Sequence, residues 1–249
     1  MKLFHFFRAL LVVPFSLLVT LIISILTLFY AVVLRRGAAS VQGLAAWWAK
    51  SICTASGVAV TVTGTEKLDP NKPYIFAANH QSQFDIFALQ GFLGIDFRWL
   101  AKKELFQVPI WGPAMRSAGY IPVDRSRGRQ ALISINEAAE KIAAGTSVII
   151  FPEGTRTRDG KMQDFKAGAM VLAIKSAVDI VPVAIKGSYE ILPKGKLLIK
   201  PGNISIQVGD PIATGKYTSK DKHTLAKILH EDVAKLLGTI DSRQRSDDS

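Results

Sequence analysis

Groups able to do acid–base chemistry gather in Asn79-His80-Gln81-Ser82-Gln83-Phe84-Asp85. The residues just before them, 74–78, form an apolar run that reads as a strand. The end of a buried strand is where an α/β sheet tends to present active-site groups. His80 and Asp85 are five residues apart. On a regular helix that step is a rotation of roughly 500°, and on a strand it puts the two on opposite faces. They meet only if the chain turns from strand into helix between them. The carboxylate then holds one ring nitrogen protonated and leaves the other as a base, the orienting role of the acid in Ser-His-Asp sites. Spacing leaves a second reading open, in which His80 satisfies backbone groups at a strand end and Asp85 caps a helix. Ser82 lacks the Gly-x-Ser-x-Gly turn of an α/β-hydrolase nucleophile and reads as a helix-start residue.

A second constellation is Phe151-Pro152-Glu153-Gly154-Thr155-Arg156, again after an apolar run, residues 147–151. Pro152 and Gly154 impose a turn. Gly154 lets backbone N–H groups approach an anion, Thr155 offers a hydroxyl and Arg156 a bidentate guanidinium. These parts suit a phosphate; an ordinary turn with a solvated arginine uses the same residues. Arg125, which closes the apolar piece at 119–124, and Lys102 are further phosphate candidates. The lone cysteine, Cys53, has no neighbouring histidine to activate it and reads as a small buried hydrophobe. No Cys/His spacing suggests a metal.

The elements that must position these groups alternate. Residues 58–64, 74–78, 147–151 and 180–185 read as strands, and residues 197–200 and 204–208 as a hairpin around Pro201-Gly202-Asn203. Residues 130–144, 166–177 and 224–237 read as helices, the last with an apolar stripe from Leu225 to Leu237. This pattern predicts one α/β domain over residues 57–240, built on a central mixed, mostly parallel sheet flanked by helices. Residues 241–249 are polar and read as a disordered tail.

Residues 9–34 carry no charged side chain. As a straight helix they reach ~39 Å, more than the ~30 Å hydrocarbon core of a bilayer. The run is too long for a signal peptide. With Trp47, Trp48 and Lys50 at headgroup level in a following segment, residues 1–56 read as a membrane-embedded anchor of two helices, with a break possible near Pro14. The 249-residue chain carries a net charge of +11. Such an excess favours polyanions. Nucleic acid has no further support, for there is no zinc finger, no RNP-like aromatic pattern and no basic helix-turn-helix. An anionic membrane and phosphorylated substrates remain.

Four segments in order, Asn79-His80 through Asp85, residues 119–125, residues 151–156 and residues 180–185, resemble the four motifs of the glycerolipid acyltransferases, in particular the PlsC-type 1-acylglycerol-3-phosphate acyltransferases. The resemblance covers about residues 58–210. It departs from the pattern at Tyr120-Ile121-Pro122-Val123, where many members are more uniformly apolar. It implies that His80 deprotonates the sn-2 hydroxyl of lysophosphatidic acid and that Asp85 orients the imidazole. The hydroxyl would attack the thioester of acyl-CoA or acyl-carrier protein without an acyl-enzyme, giving phosphatidic acid. Arg125, Glu153, Gly154, Thr155, Arg156 and Lys102 would bind the acceptor phosphate, and Pro182 would shape the strand near the donor. No metal or cofactor is implied. The chain would sit in the inner (cytoplasmic) membrane with its catalytic domain on the cytoplasmic face. Another lysolipid acceptor, such as lyso-ornithine lipid, and a non-catalytic membrane-binding protein are the competing expectations.

Overall fold

The computed structural model describes residues 2–124 and 129–247, with backbone alone for 2–9, 131 and 244–247. The chain opens with α1 (Lys2–Leu28), which continues into a π-helical turn over Phe29–Val33. Pro14 lies inside α1 without ending it; the break comes at the π-turn instead. Leu10–Val33 is apolar and, at 24 residues, long enough to cross a bilayer. Its hydroxyls turn inward on their own helix: Ser16, Thr20 and Ser24 each donate to the carbonyl four residues earlier at 2.7 Å. In apolar surroundings that satisfies groups that would otherwise cost several kcal/mol each. Helix α2 (Ala38–Ser56) packs on α1, and Trp48 Nε1 donates to Thr20 Oγ1 at 2.8 Å.

After α2 the chain lays down β1 (Val58–Thr63), β2 (Ile75–Ala78), β3 (Arg98–Lys102), β4 (Ile121–Val123), β5 (Val148–Ile150), β6 (Ile180–Lys186) and β7 (Gly202–Val208). They form one sheet in the order β1-β7-β6-β2-β5-β3-β4. Every pair is parallel except β6–β7. Strands β2, β5 and β6 are central and buried on both faces. That explains their continuous apolar runs, which show no alternation. Edge strand β1 alternates buried with more exposed positions.

Helices α2 and α3 (Phe84–Phe92) cover one face of the sheet; α5 (Arg129–Ala143), α6 (Ala167–Ser176) and α8 (Lys222–Asp247) cover the other. On α8, Leu225, Leu229 and Val233 are fully buried, each worth about 1.5–3 kcal/mol. Helix α4 (Trp111–Ser117) packs against α1, and the short α7 (Ser188–Ile191) against β7.

Three expectations change. Residues 197–200 form no hairpin with β7, because β7 already has β1 and β6 as its two neighbours. Strand β3 was masked in the sequence by charge at both its ends, Arg98 and Lys102. Arg98 is nonetheless buried, paired with Asp96. Of the residues read as a disordered tail, 241–247 continue α8, and Asp241 pairs with Lys186 on β6.

Candidate active site

The turn after β2 is built by side chains acting as backbone. Asn79 is fully buried; its Nδ2 donates to the Ile185 carbonyl at 2.8 Å and its Oδ1 accepts the Ile185 N–H at 2.7 Å. It thus extends the β2–β6 pairing by one residue, to the brink of His80. The chain then turns, and α3 starts at Phe84. Asp85, in the first turn of α3, reaches back. Its Oδ2 accepts the Gln81 N–H at 2.7 Å and the Ser82 N–H at 2.8 Å, and lies 2.8 Å from His80 Nδ1. This is how a five-residue spacing brings the two together. A helix N-terminus favours the negative charge there. A carboxylate only accepts, so Nδ1 carries the proton and Nε2 is left as the base. The other oxygen, Asp85 Oδ1, is buried without a hydrogen-bond partner among the described residues. Ser82 is no nucleophile. It is fully buried, donates to the Leu192 carbonyl at 2.8 Å and accepts the Phe84 N–H at 3.2 Å, as a helix-start residue does.

The Phe151–Arg156 stretch grips His80 from the neighbouring strand. The ring of Phe151 lies flat on the imidazole, centroids 3.8 Å apart at 10°, and Trp99 stacks on Phe151 at 5.9 Å. Gln90 Oε1 fixes Trp99 by accepting its Nε1–H at 2.7 Å, and also accepts the Tyr120 hydroxyl at 3.1 Å. Burial pushes the Tyr120 phenol up, which keeps it a donor. Glu153 was expected to bind substrate. Its side chain instead turns inward: Oε1 accepts the His80 N–H at 2.6 Å and Oε2 the Gln163 N–H at 2.9 Å. Burial pushes its carboxyl up, against the pull of those two N–H groups. The His80 carbonyl in turn accepts the Thr157 N–H at 3.0 Å. His80 is therefore held at its ring face, its Nδ1 and both of its backbone polar groups.

His80 opens onto a cavity of about 750 Å³, inside the ~300–1,000 Å³ range of small-molecule sites. Gly154, Thr155, Arg156 and Lys102 share its lining with His80. Gly154 has φ +75°, and a Cβ there would come 2.8 Å from Lys166 Nζ. Arg156 is half-buried and has no ion-pair partner among the described residues. Lys102 lies 3.6 Å from Glu104, both well exposed. Arg125 lies outside the described residues. Pro182 does not line the cavity; its ring packs beneath Gly209 near Leu236. The rest of the cavity wall is mostly apolar, from α1 (Val13, Leu17), α2 (Ala45, Ile52) and α4 (Ala114, Met115), with the hydroxyls of Ser16, Thr20, Ser24 and Thr27 and the amide of Gln83 also on it.

Sequence reasoning missed two things here. Lys194 Nζ donates to Thr155 Oγ1 at 2.8 Å and to the Arg156 carbonyl at 3.1 Å. Its signal was faint, a Leu-Pro-Lys-Gly-Lys turn without partner spacing. The Phe151–His80 stack joins residues 71 positions apart, and only strand order reveals it.

A base with an orienting acid, beside cations and above an apolar cavity, can deprotonate a hydroxyl next to an acyl chain. The comparisons agree in kind. The Acyltransferase family model matches residues 59–186. A 1-acyl-sn-glycerol-3-phosphate acyltransferase of Chlamydomonas reinhardtii is 36% identical over 165 residues, 66% of this chain and 49% of that protein. The human alpha form of an enzyme so named is 33% identical over 171 residues, 68% of this chain and 60% of that one. This chain thus spans half to three-fifths of the length of these curated relatives. The crystal structure of the acyltransferase PlsC from Thermotoga maritima superposes with a TM-score of 0.72 at 27% identity, covering 92% of this chain and 98% of that one. With that model matching more than half of its length, the chain belongs to the acyltransferase family.

Proposed function

We propose that the protein transfers a fatty acyl group from a thioester donor, acyl-CoA or acyl-carrier protein, to the sn-2 hydroxyl of lysophosphatidic acid, yielding phosphatidic acid. The observation that carries this is the His80–Asp85 pair facing the apolar cavity that Arg156 and Lys102 also line. Nε2 of His80 takes the proton of the acceptor hydroxyl as its oxygen attacks the thioester carbon. Asp85 stabilises the resulting imidazolium. The tetrahedral intermediate collapses, the C–S bond breaks, and Nε2 returns its proton to the thiolate. The hydroxyl attacks directly, and Ser82, buried and bonded at its hydroxyl, is not placed to form an acyl-enzyme.

Arg156 and Lys102, with Arg125, are the groups for the acceptor phosphate; each charge-assisted hydrogen bond contributes about 1.5–3 kcal/mol. The names of the relatives support this acceptor, as does the +11 charge. Gly154 and Thr155 form the turn that presents Arg156. Glu153 acts through His80 rather than on substrate. Residues 1–56 anchor the chain in the membrane, residues 57–240 form the catalytic unit, and the catalytic unit faces the cytosol, where thioester donors are found.

The test is acyl transfer by membranes containing wild type or His80→Ala, given lysophosphatidic acid and a long-chain acyl-CoA. Phosphatidic acid from the wild type alone is the expected result. Thioester loss without added lysolipid would point to hydrolysis, and equal product from the variant would remove His80 from the mechanism.

A further inference from the structure

Segment 193–200 lies at the rim of the active-site cavity, and its residues 197–200 are irregular where a strand was expected. Its inner side is tied down. Leu192 and Ile199 line the cavity, and the Leu192 carbonyl takes the Ser82 hydroxyl. Lys194 bonds to Thr155 and Arg156, and the Lys200 N–H bonds to the Ile191 carbonyl at 2.9 Å. Its outer side carries two adjacent leucines into solvent: Leu197 is 87% exposed and Leu198 46%. Lys196 and Lys200 flank them, both exposed and neither with a carboxylate partner among the described residues. Single exposed leucines are ordinary, but an anchored turn that extends an apolar pair between unpaired lysines is the pattern of a membrane-interface contact.

We propose that segment 193–200 is a second membrane contact, with Leu197 and Leu198 entering the interface and Lys196 and Lys200 meeting anionic phospholipid headgroups. Two observations favour a lipid surface over an acidic protein. The segment borders the same cavity as α1, whose Leu17 both lines that cavity and is 69% exposed. Both apolar surfaces therefore belong to elements that line one cavity. The lysines alone would suit either partner, whereas the apolar tip between them suits the interface. The contact would seat the cavity rim on the bilayer, so that a lipid acceptor reaches His80 without crossing water.

The test uses the full-length chain in phosphatidylcholine vesicles with and without phosphatidylglycerol. Cys53 is the lone cysteine and is buried, so an environment-sensitive fluorophore on Leu197→Cys reports from one place. Quenching by lipids spin-labelled near the headgroup, stronger with phosphatidylglycerol, is expected. Quenching at a Leu17→Cys control but not at Leu197→Cys would overturn the proposal. So would a Leu197 reporter that responds only to an added acidic carrier protein. A kinetic arm rests on the acyl-transfer reading: Leu197→Asp/Leu198→Asp raises the apparent KM for a vesicle-borne acceptor about tenfold, or ~1.4 kcal/mol. A short-chain, water-soluble acceptor keeps its KM and kcat, which also shows that the variant is folded. An equal rise for both acceptors would overturn the membrane role. The quenching arm needs no activity, so a wrong reaction and a wrong contact give different results.

Discussion

Asp85→Asn removes a charge from behind the imidazole while keeping the shape of the side chain. Asp85 Oδ2 meets three donors: His80 Nδ1–H and the Gln81 and Ser82 N–H groups. Asparagine can turn its carbonyl oxygen to those donors. Its amide then occupies the place of Oδ1, which bonds nothing among the described residues. The turn is thus retained, and the loss falls on the transition state, where His80 carries a positive charge. Opposite charges centred roughly 4 Å apart interact by about 4 kcal/mol at an effective dielectric of 20. That corresponds to about 10³-fold in kcat. Asp85→Ala is the contrasting change. It also orphans two backbone donors, at about 1–3 kcal/mol each, enough to unfold a marginal domain. The assay is thiol release from acyl-CoA in the presence of lysophosphatidic acid, with the thermal midpoint recorded on the same preparation. A folded Asp85→Asn enzyme within tenfold of wild-type kcat would refute the charge argument and leave Asp85 as a capping residue.

Arg156→Ala removes a guanidinium of the cavity wall that has no ion-pair partner among the described residues. The apparent KM for a phosphorylated acceptor should rise ten- to a hundredfold, for the loss of about 1.5–3 kcal/mol, with little change for the acyl donor. An equal effect on both substrates would count against a phosphate role. Glu153→Gln puts an amide NH₂ against one of the two N–H groups that the carboxylate accepts. It should lower kcat by tenfold or more with KM nearly unchanged, because His80 loses its backbone clamp. The pH dependence has a definite sign. The folded-state pKa of Glu153 is raised by burial, so its contribution to stability is fully present below the unfolded value and is lost as pH rises through the folded one. Thermal midpoints measured from mildly acidic to neutral pH should therefore fall less steeply with pH in Glu153→Gln than in wild type. An equal slope would show that the carboxylate does not titrate with folding.

The apolar runs at 74–78, 147–151 and 180–185 were legible as strands because strands buried on both faces must be apolar throughout. Helices α5, α6 and α8 were also legible, α8 from its apolar stripe. β3 was hidden because its charged ends find partners, Asp96 for Arg98, that local pattern does not reveal. The absent hairpin at 197–200 failed for a non-local reason too: its slot beside β7 was already filled by β1.

The site divides in the same way. Residue type and order singled out His80, Asp85 and the Phe151–Arg156 turn as candidates, since few side chains can serve as base, orienting acid or anion ligand. The five-residue spacing also set the condition for the pair to meet, a turn from strand into helix between positions 80 and 85. What each residue of the second turn does was left to tertiary structure. Strand order sets β5 beside β2, which lays Phe151 on the imidazole and turns Glu153 inward onto the His80 N–H, leaving Arg156 to the cavity. A carboxylate next to a glycine reads the same in sequence whether it faces substrate or backbone. Only the packing of one strand end against another decides which donors it meets.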